Sequence, residues 1–345
     1  MIEVTRYHDD KLIGRWLLIC AVTIFGMILL GGVTRLTESG LSMVDWQPIM
    51  GVIPPLSTAD WVYLFEQYKL FPEYQLINTG MSLDEFKQIF WFEYLHRMLG
   101  RFIGLLFFFP LMAFLWMGKV HPRLKPHLFA LLILGGCQGL MGWYMVQSGL
   151  VDRPDVSQYR LTAHLGLAIA IYGYIVWLTI GLFSPERTIR LGHASAALSL
   201  VPLVYLMILT GGFVAGTNAG LSFPTWPLMG DSFIPPALYR DGFVSVFEQV
   251  TTIHFNHRML AYATGLIVVT AALHSVLRSH DLRVRIASVL MMAAVTLQIV
   301  LGIGTVLSHV NVTIAAGHQS GAVVLLTTVL YWVHCKRTER MPSVS

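Results

Sequence analysis

Charge is scarce in this 345-residue chain: Lys, Arg, Asp and Glu together make up 12% of it, against 55% hydrophobic residues. A soluble domain normally carries about 25% charged residues, and a mean hydropathy of +0.64 points the same way, so a soluble globular class is excluded and an integral membrane protein is expected. Cysteine is nearly absent as well. Cys20, Cys137 and Cys335 lie far apart, each in or beside an apolar run, without Cys-x-x-Cys spacing; neither a disulfide framework nor a zinc site is expected. A cleavable leader is also missing from the pattern. Met1–Asp10 is short and mixed in charge, and the first apolar run has full spanning length with no small-residue cleavage site.

Apolar runs are what the chain has in quantity. Crossing a hydrocarbon layer of about 30 Å takes roughly 20 helical residues, and runs of that kind are read at Gly14–Val33, Phe92–Met117, Leu128–Val146, Leu161–Phe183, Ala194–Ala215, Ile253–Leu277, Ile286–Leu307 and Val312–Val333. Eight spans are expected. One set of helix ends holds Arg6, Lys11, Arg15, Lys119, Arg123, Lys125, Arg187, Arg190, Arg278, Arg283, Arg285, Lys336, Arg337 and Arg340; the other loops are richer in acids, among them Asp60, Glu66, Glu73, Asp84, Glu85, Asp152, Asp155, Asp231, Asp241 and Glu248. Basic residues are retained on the cytoplasmic side, so both termini are expected inside. The pI near 9.0 then reflects topology, and no nucleic-acid partner is expected.

The chain repeats itself. GGVTRLTESGLSMVDWQPIMGVIPP from Gly31 matches GGFVAGTNAGLSFPTWPLMGDSFIPP from Gly211, and the match continues as His96-Arg97-Met98-Leu99 against His257-Arg258-Met259-Leu260, Gln138 and Gly142 against Gln298 and Gly302, and His164 against His318. Each half, 1–190 and 191–345, has four spans. An even number per half gives both the same orientation, so the expected fold is all-α, two tandem four-helix bundles related by a pseudo-two-fold axis along the membrane normal. The loop from Leu36 to Ile89 is longer than its counterpart from Asn218 to Thr251, and its Trp61, Tyr63, Leu64, Phe65 cluster predicts a short interfacial helix, a lid over the first bundle. Gly100/Gly104 and Gly212/Gly216 have the small-xxx-small spacing of close helix contacts.

A lone histidine at a helix end is usually a satisfied polar group. Four in repeat register, His96 and His164 in one half and His257 and His318 in the other, near the outer ends of their helices, carry more weight. Two imidazoles on facing helices can close both axial positions of a haem iron, and intramembrane ionisable residues are costly enough to be functional candidates. Arg97 and Arg258 follow their histidines on the outer side, where arginine is unfavoured; snorkelling to lipid phosphate is the plainer reading, but recurrence in both halves favours haem propionates, which take a guanidinium by charge-assisted hydrogen bonds. The halves differ where Glu93 precedes His96 by three residues and His254 precedes His257. A partly desolvated carboxyl there would suit a proton acceptor, which makes the first half the reacting site and the second an electron-transfer site.

Glu-x-x-His-Arg in one half, His-Arg in the other, the later paired histidines, eight spans and the GLS...W...P loops together resemble the haem A synthase family of cytochrome oxidase assembly, over nearly the whole chain. The resemblance implies a resident haem b on His257 and His318, the substrate haem O between His96 and His164, and a catalytic Glu93. It further implies an integral inner (cytoplasmic) membrane enzyme with its haem sites near the outer face, oxidising a ring methyl of haem O to the formyl group of haem A. With His96 and His164 both on the substrate iron no axial position is open for O2, so water is the expected oxygen source. Some members carry a cysteine pair in the first outer loop; this chain has none between Leu36 and Ile89. The electron acceptor is unassigned, and direct docking of a haem O synthase and a homo-oligomer are open alternatives. A rival reading is a dihaem cytochrome b that only transfers electrons; a parallel-repeat transporter is weaker, because no span is interrupted near the membrane midplane.

Overall fold

The computed structural model describes residues 2–43, 50–150, 154–184 and 197–339, with side chains from Asp9 onward. Among these residues the fold is helical, with one isolated bridge between Met229 and Ser232. The helices are α1 (Ile2–Leu36), α2 (Thr58–Tyr68), α3 (Pro72–Leu76), α4 (Leu83–Trp116), α5 (Lys125–Val146), α6 (Gln158–Phe183), α7 (Leu200–Gly216), α8 (Ser245–Glu248), α9 (Val250–Arg278), α10 (Leu282–Leu307) and α11 (Val312–Arg337).

Seven of these are long and apolar enough to cross a membrane: α1 from Asp9, α4, α5, α6, α9, α10 and α11. The remaining expected span, Ala194–Ala215, corresponds to α7, an apolar helix of 17 residues; its first residues, 194–196, lie outside the described residues, as does the boundary between the halves at 190/191. At 1.5 Å per residue α7 is about 25 Å long, shorter than the others.

Local chemistry sets several helix ends. Ser82 starts α4 with a capping box: its hydroxyl accepts from Glu85 N (3.3 Å) while Glu85 Oε2 accepts from Ser82 N (2.8 Å). Asn311 starts α11 by accepting from Thr313 N and Ile314 N. The C-terminal ends of α1 and α7 stop alike at repeat-related residues. Thr37 and Thr217 donate their hydroxyls to the carbonyls of Val33 and Phe213, and the next residues, Glu38 and Asn218, are both left-handed with φ of 51° and 53°. Asn tolerates that conformation better than Glu.

One apolar core runs through both halves, built from α1, α4–α7 and α9–α11. The inner surfaces of α1, α6 and α11 are the most buried, those of α4 and α5 the least. Gly212 and Gly216 of α7 lie against Thr162 and Gln158 of α6, so that small-xxx-small pair closes a contact inside this chain. Gly100 faces Met27 of α1, and Gly104 faces open space. Further ties join the halves: Gln319 of α11 donates to Ile28 O of α1 (2.7 Å), Arg35 donates to Asn218 Oδ1 (3.0 Å), and Glu248 accepts from Gln158 (3.0 Å) and from the Tyr159 hydroxyl.

The helix expected in this loop is α2, capped by Ser57 and Asp60. Its Phe65 and Tyr68 are buried with Phe86, Phe90 and Tyr94 of α4 in a separate aromatic cluster. At 34 residues α4 is about 50 Å long, well beyond the hydrocarbon thickness, and this surplus outer end is what α2 packs on. Glu73 in α3 is only 4% exposed and accepts from the Tyr68 hydroxyl (3.0 Å), which in turn accepts from Asn78 Nδ2 (2.7 Å). Burial pushes the Glu73 carboxyl up from its ordinary 4.5 to about 8; the Tyr68 hydrogen bond opposes this, and the charges of Glu93, Glu38 and Asp155 add to it.

A carboxyl raised on folding binds more protons in the native loop than in the open one. Its stabilising contribution is therefore complete below pH 4.5 and is lost as pH rises through 8. Each pH unit inside that window is worth about 1.4 kcal/mol. Hydrogen exchange of amides in residues 57–82 should accelerate between pH 5 and pH 8 beyond the intrinsic base-catalysed increase, and Glu73→Gln should abolish the excess; an unchanged excess in that variant would refute the assignment.

Candidate functional site

Each of the four histidines is half-buried and sits with its ring edge against a glycine of a neighbouring helix. A Cβ added to Gly31 of α1 would lie 2.8 Å from Cε1 of His96 in α4, and one on Gly142 of α5 would lie 3.0 Å from Cε1 of His164 in α6. In the second half Gly211 of α7 faces His257 of α9 at 3.4 Å, and Gly302 of α10 faces His318 of α11 at 2.8 Å. Glycine is required at the closest of these approaches because any larger residue would displace the imidazole. All four contacts fall at repeat-related positions. His96 and His164 lie within electrostatic reach of each other, as do His257 and His318.

The ring nitrogens are held differently in the two halves. His257 Nδ1 lies 2.9 Å from Thr210 Oγ1, whose own proton goes to Met207 O (2.8 Å); the hydroxyl therefore accepts, and His257 carries its proton on Nδ1. His318 Nδ1 lies 3.2 Å from the carbonyl of Gln298, which can only accept. Both second-half imidazoles thus present a bare Nε2, the arrangement in which an outer partner fixes the tautomer and orientation of a metal ligand. In the first half the residue equivalent to Thr210 is Leu30, and His96 Nδ1 is buried without a hydrogen-bond partner. His164 has the Gln138 amide nitrogen 3.2 Å from Nδ1 and 3.4 Å from Nε2.

The arginines reach outward to the loops. Arg258 donates from Nη2 to Phe223 O (2.9 Å), from Nη1 to Leu228 O (3.1 Å) and from Nε to His254 Nε2 (3.1 Å). Arg97 donates from Nη2 to Met43 O (2.7 Å) and pairs with Glu93 Oε1 through Nη2 (2.5 Å) and Nε (3.1 Å). Met43 and Phe223 are repeat equivalents, so both guanidiniums clamp the same carbonyl of their own outer loop, and both use Nε on the side chain one turn back, Glu93 or His254. The second oxygen of Glu93 accepts from Ser42 Oγ (2.8 Å) and Met43 N (2.7 Å). Glu93 is 4% exposed and His254 2%.

The sequence singled out the histidines, arginines and Glu93, and these do gather in two places. It did not single out Thr210, Gln298, Ser42 or the loop carbonyls, although the Thr210/Leu30 difference is visible once the halves are aligned. Two surface clefts, of about 300 and 310 Å³, open elsewhere, near Asp10, His121 and Trp177 and near Phe25, Tyr172 and Thr327. They border none of the four histidines, and the packing gives no reason to place chemistry there.

Seven apolar spans and two repeat-related histidine pairs define an all-helical integral membrane protein. The chain belongs to a family described as cytochrome oxidase assembly protein, whose model matches residues 14–330. It is 47% identical over 336 residues to a protein named Heme A synthase from Nitrosospira multiformis, covering 95% of this chain and 94% of that one. It is 46% identical over 338 residues to a Heme A synthase from Paramagnetospirillum magneticum, covering 95% and 94%. A Heme A synthase from Agrobacterium fabrum matches at 47% over 335 residues, covering 94% and 90%.

Arg258→Lys leaves a single ammonium where three fixed N–H groups now reach two carbonyls and a ring nitrogen. Buried hydrogen bonds to charged groups are worth roughly 1.5–3 kcal/mol each. The variant should become sensitive to protease within residues 224–240 in detergent micelles or nanodiscs; wild-type resistance would show that the clamp does not hold the loop.

Proposed function

We propose that the chain is a haem A synthase that takes haem O as substrate and oxidises one ring methyl to the formyl group of haem A. In this reading the fold is eight spans in two tandem four-helix halves, 1–190 and 191–345, related by a pseudo-two-fold axis along the membrane normal. Both termini face the cytoplasm and both histidine pairs lie near the outer face of an inner (cytoplasmic) membrane. The basic helix ends and acidic outer loops support that orientation. Haem O synthase, which would supply the substrate, is a proposed partner.

The observation that carries the reading is the fourfold seating of imidazole on glycine. Such a contact fixes ring orientation and leaves a cradle that a side chain would otherwise fill, and the orphaned His96 Nδ1 belongs to the same arrangement. The donor set fits iron porphyrin: two imidazoles per half and no carboxylate or thiolate among the seated groups. His257 and His318, each with an oxygen partner on Nδ1, would hold the resident haem b; His96 and His164, more loosely partnered, would receive and release haem O. When bound, haem b supplies one-electron transfer.

The reaction, R–CH3 + H2O to R–CHO + 4 H+ + 4 e−, passes its electrons to an oxidant outside this chain, and the chain must provide somewhere for the protons to go. Glu93 sits one helical turn outward of His96, at the edge of the site. Its carboxylate already accepts from Arg97, Ser42 and Met43 N, so taking a proton requires it to give up one of these donors. Ser42 Oγ is the easiest to release, because Ser39 O (3.1 Å) offers the hydroxyl another acceptor. Arg97 and Arg258 keep the outer loops shut over the two pairs, and the two remaining N–H groups of Arg258 are available to a propionate.

Glu93→Ala should retain haem b and stop haem A formation, read by extracting pigments from the purified protein; normal haem A would reject the catalytic assignment, and two haem b per chain with no haem O or haem A would favour a pure electron-transfer protein. Labelled water should appear in the formyl group, whereas oxygen from O2 would reject the water route. Thr210→Val removes the acceptor for His257 Nδ1 and should weaken haem b retention about 10- to 100-fold, measured by transfer of haem to an excess of apo-globin.

A further inference from the structure

The two halves differ most along one seam, and the difference is written in glycine. On α5, Gly135, Gln138, Gly139 and Gly142 share a face, and on α4 His96, Gly100 and Gly104 do so. Gly142 and Gln138 lie at His164, so Gly135 and Gly139 continue inward from the histidine pair for about 10 Å. A methyl group added at Gly104, Gly135 or Gly139 would meet no atom within 4 Å. The second half, aligned on the same residues, has Val295 for Gly135 and Ile299 for Gly139. Val295 is 2% exposed, and a Cβ on Gly265, the equivalent of Gly104, would meet Ile299 Cδ1 at 3.3 Å. The α9–α10 seam is filled, and the α4–α5 seam is open beside the two least buried spans.

Small residues alone define no site, but this seam starts at one. Its outer end holds His96 Nδ1, a buried polar atom without a hydrogen-bond partner where its counterpart His257 Nδ1 has one, and Gln138 Oε1, unpartnered like Gln298 Oε1 in the other half, and its sides open toward lipid past Ile133 and Leu140, 66% and 68% exposed. Resting on the reading that His96 and His164 receive haem O, we propose that the Gly104/Gly135/Gly139 seam accommodates the isoprenoid tail of that substrate, and that Val295 and Ile299 exclude the tail from the other half. Haem O differs from haem b by this tail, which replaces one vinyl group; the ring and propionates are common to both, so the histidines and arginines cannot discriminate between them. An apolar chain needs apolar volume contiguous with the ring and a route from the bilayer. The open seam provides both. The same glycines therefore decide which half is visited by substrate and which retains the untailed haem.

The test is equilibrium binding to the full-length protein with its resident haem b, in nanodiscs, followed by Soret difference spectra on titration with haem O and, separately, with iron protoporphyrin lacking the tail. Gly139→Ile and Gly135→Val, which transplant the second-half residues, should weaken haem O binding about tenfold or more while changing binding of the untailed haem less than about twofold. Retained haem b reports that the fold is intact. Ile299→Gly should let haem O replace part of the haem b, seen in extracted pigment, and it carries the test alone if the bulky variants lose haem b. Equal haem O affinity in wild type and Gly139→Ile, or no haem O in the Ile299→Gly second half, overturns the tail assignment. If His96→Ala and His164→Ala leave haem O binding unchanged, the first-half substrate site itself is wrong, and the outcome is then distinct from failure of the seam.

Discussion

The structure depends on how closely two helix backbones can approach where an imidazole lies between them. A histidine ring projecting from one helix must have its edge covered by the next, and the cover here is glycine in all four cases: Gly31, Gly142, Gly211 and Gly302. A side chain at the tightest of these positions would overlap the ring. Helix association in lipid relies on packing rather than on hydrophobic transfer, so these contacts both position the imidazoles and help set helix spacing. α1, α6, α7 and α11 then form the middle of the molecule, where Gln319, Arg35 and the Thr162 and Gln158 contacts join the halves. Moving one glycine would disturb both a ring and a helix interface.

Within this shared frame, duplication has been followed by specialisation. Thr210 against Leu30 changes how firmly a histidine ring is oriented, Glu93 against His254 changes the charge one turn before that histidine, and Gly139 against Ile299 changes whether a neighbouring seam is filled. On the proposed reading all three act in one direction. The second half is tightly seamed and its ring tautomers are fixed, as a permanently held group requires. The first is open, with one ring nitrogen unpartnered and an acid at its edge, as a visited site requires. No single difference would carry the assignment, and the three are independent because they sit on different helices.

Much of the architecture was legible from the sequence because the membrane simplifies it. Backbone groups in lipid must be satisfied internally, so apolar runs become helices, and seven of the eight expected spans appear at full length. The loop helix α2 was legible in the Trp61–Phe65 cluster because an apolar face outside the membrane must be buried on something, here the overlong outer end of α4. The repeat then placed the histidines in pairs. Less was legible wherever the outcome depended on three-dimensional partners. Arg97 and Arg258 look from sequence like outward cations awaiting an anion, whereas Arg97 is already paired with Glu93 and both guanidiniums donate to loop carbonyls, at repeat-related Met43 and Phe223. Glu73 reads as one acid among many in an outer loop, and only packing buries it under Tyr68.

The arginine clamps link the loops to the chemistry in a way that neither sequence motif alone implies. Each guanidinium sits one residue after a seated histidine, holds a carbonyl of the outer loop, and uses Nε to orient the side chain one turn back. In the first half that side chain is Glu93, so loop closure and the position of the carboxylate are the same event: Met43 contributes its carbonyl to Arg97 and its N–H to Glu93. Opening the loop would free Oε2 of Glu93, which accepts from Ser42 Oγ and Met43 N, while Oε1 stays paired with Arg97 of the same helix. In the second half the same geometry orients a neutral ring donor–acceptor, His254, through Arg258, and closure there moves no carboxylate. On the proposed reading, a loop that opens to admit a lipophilic substrate has a chemical consequence only in the half with the open seam, so access and proton handling are coupled in the substrate half and uncoupled in the other.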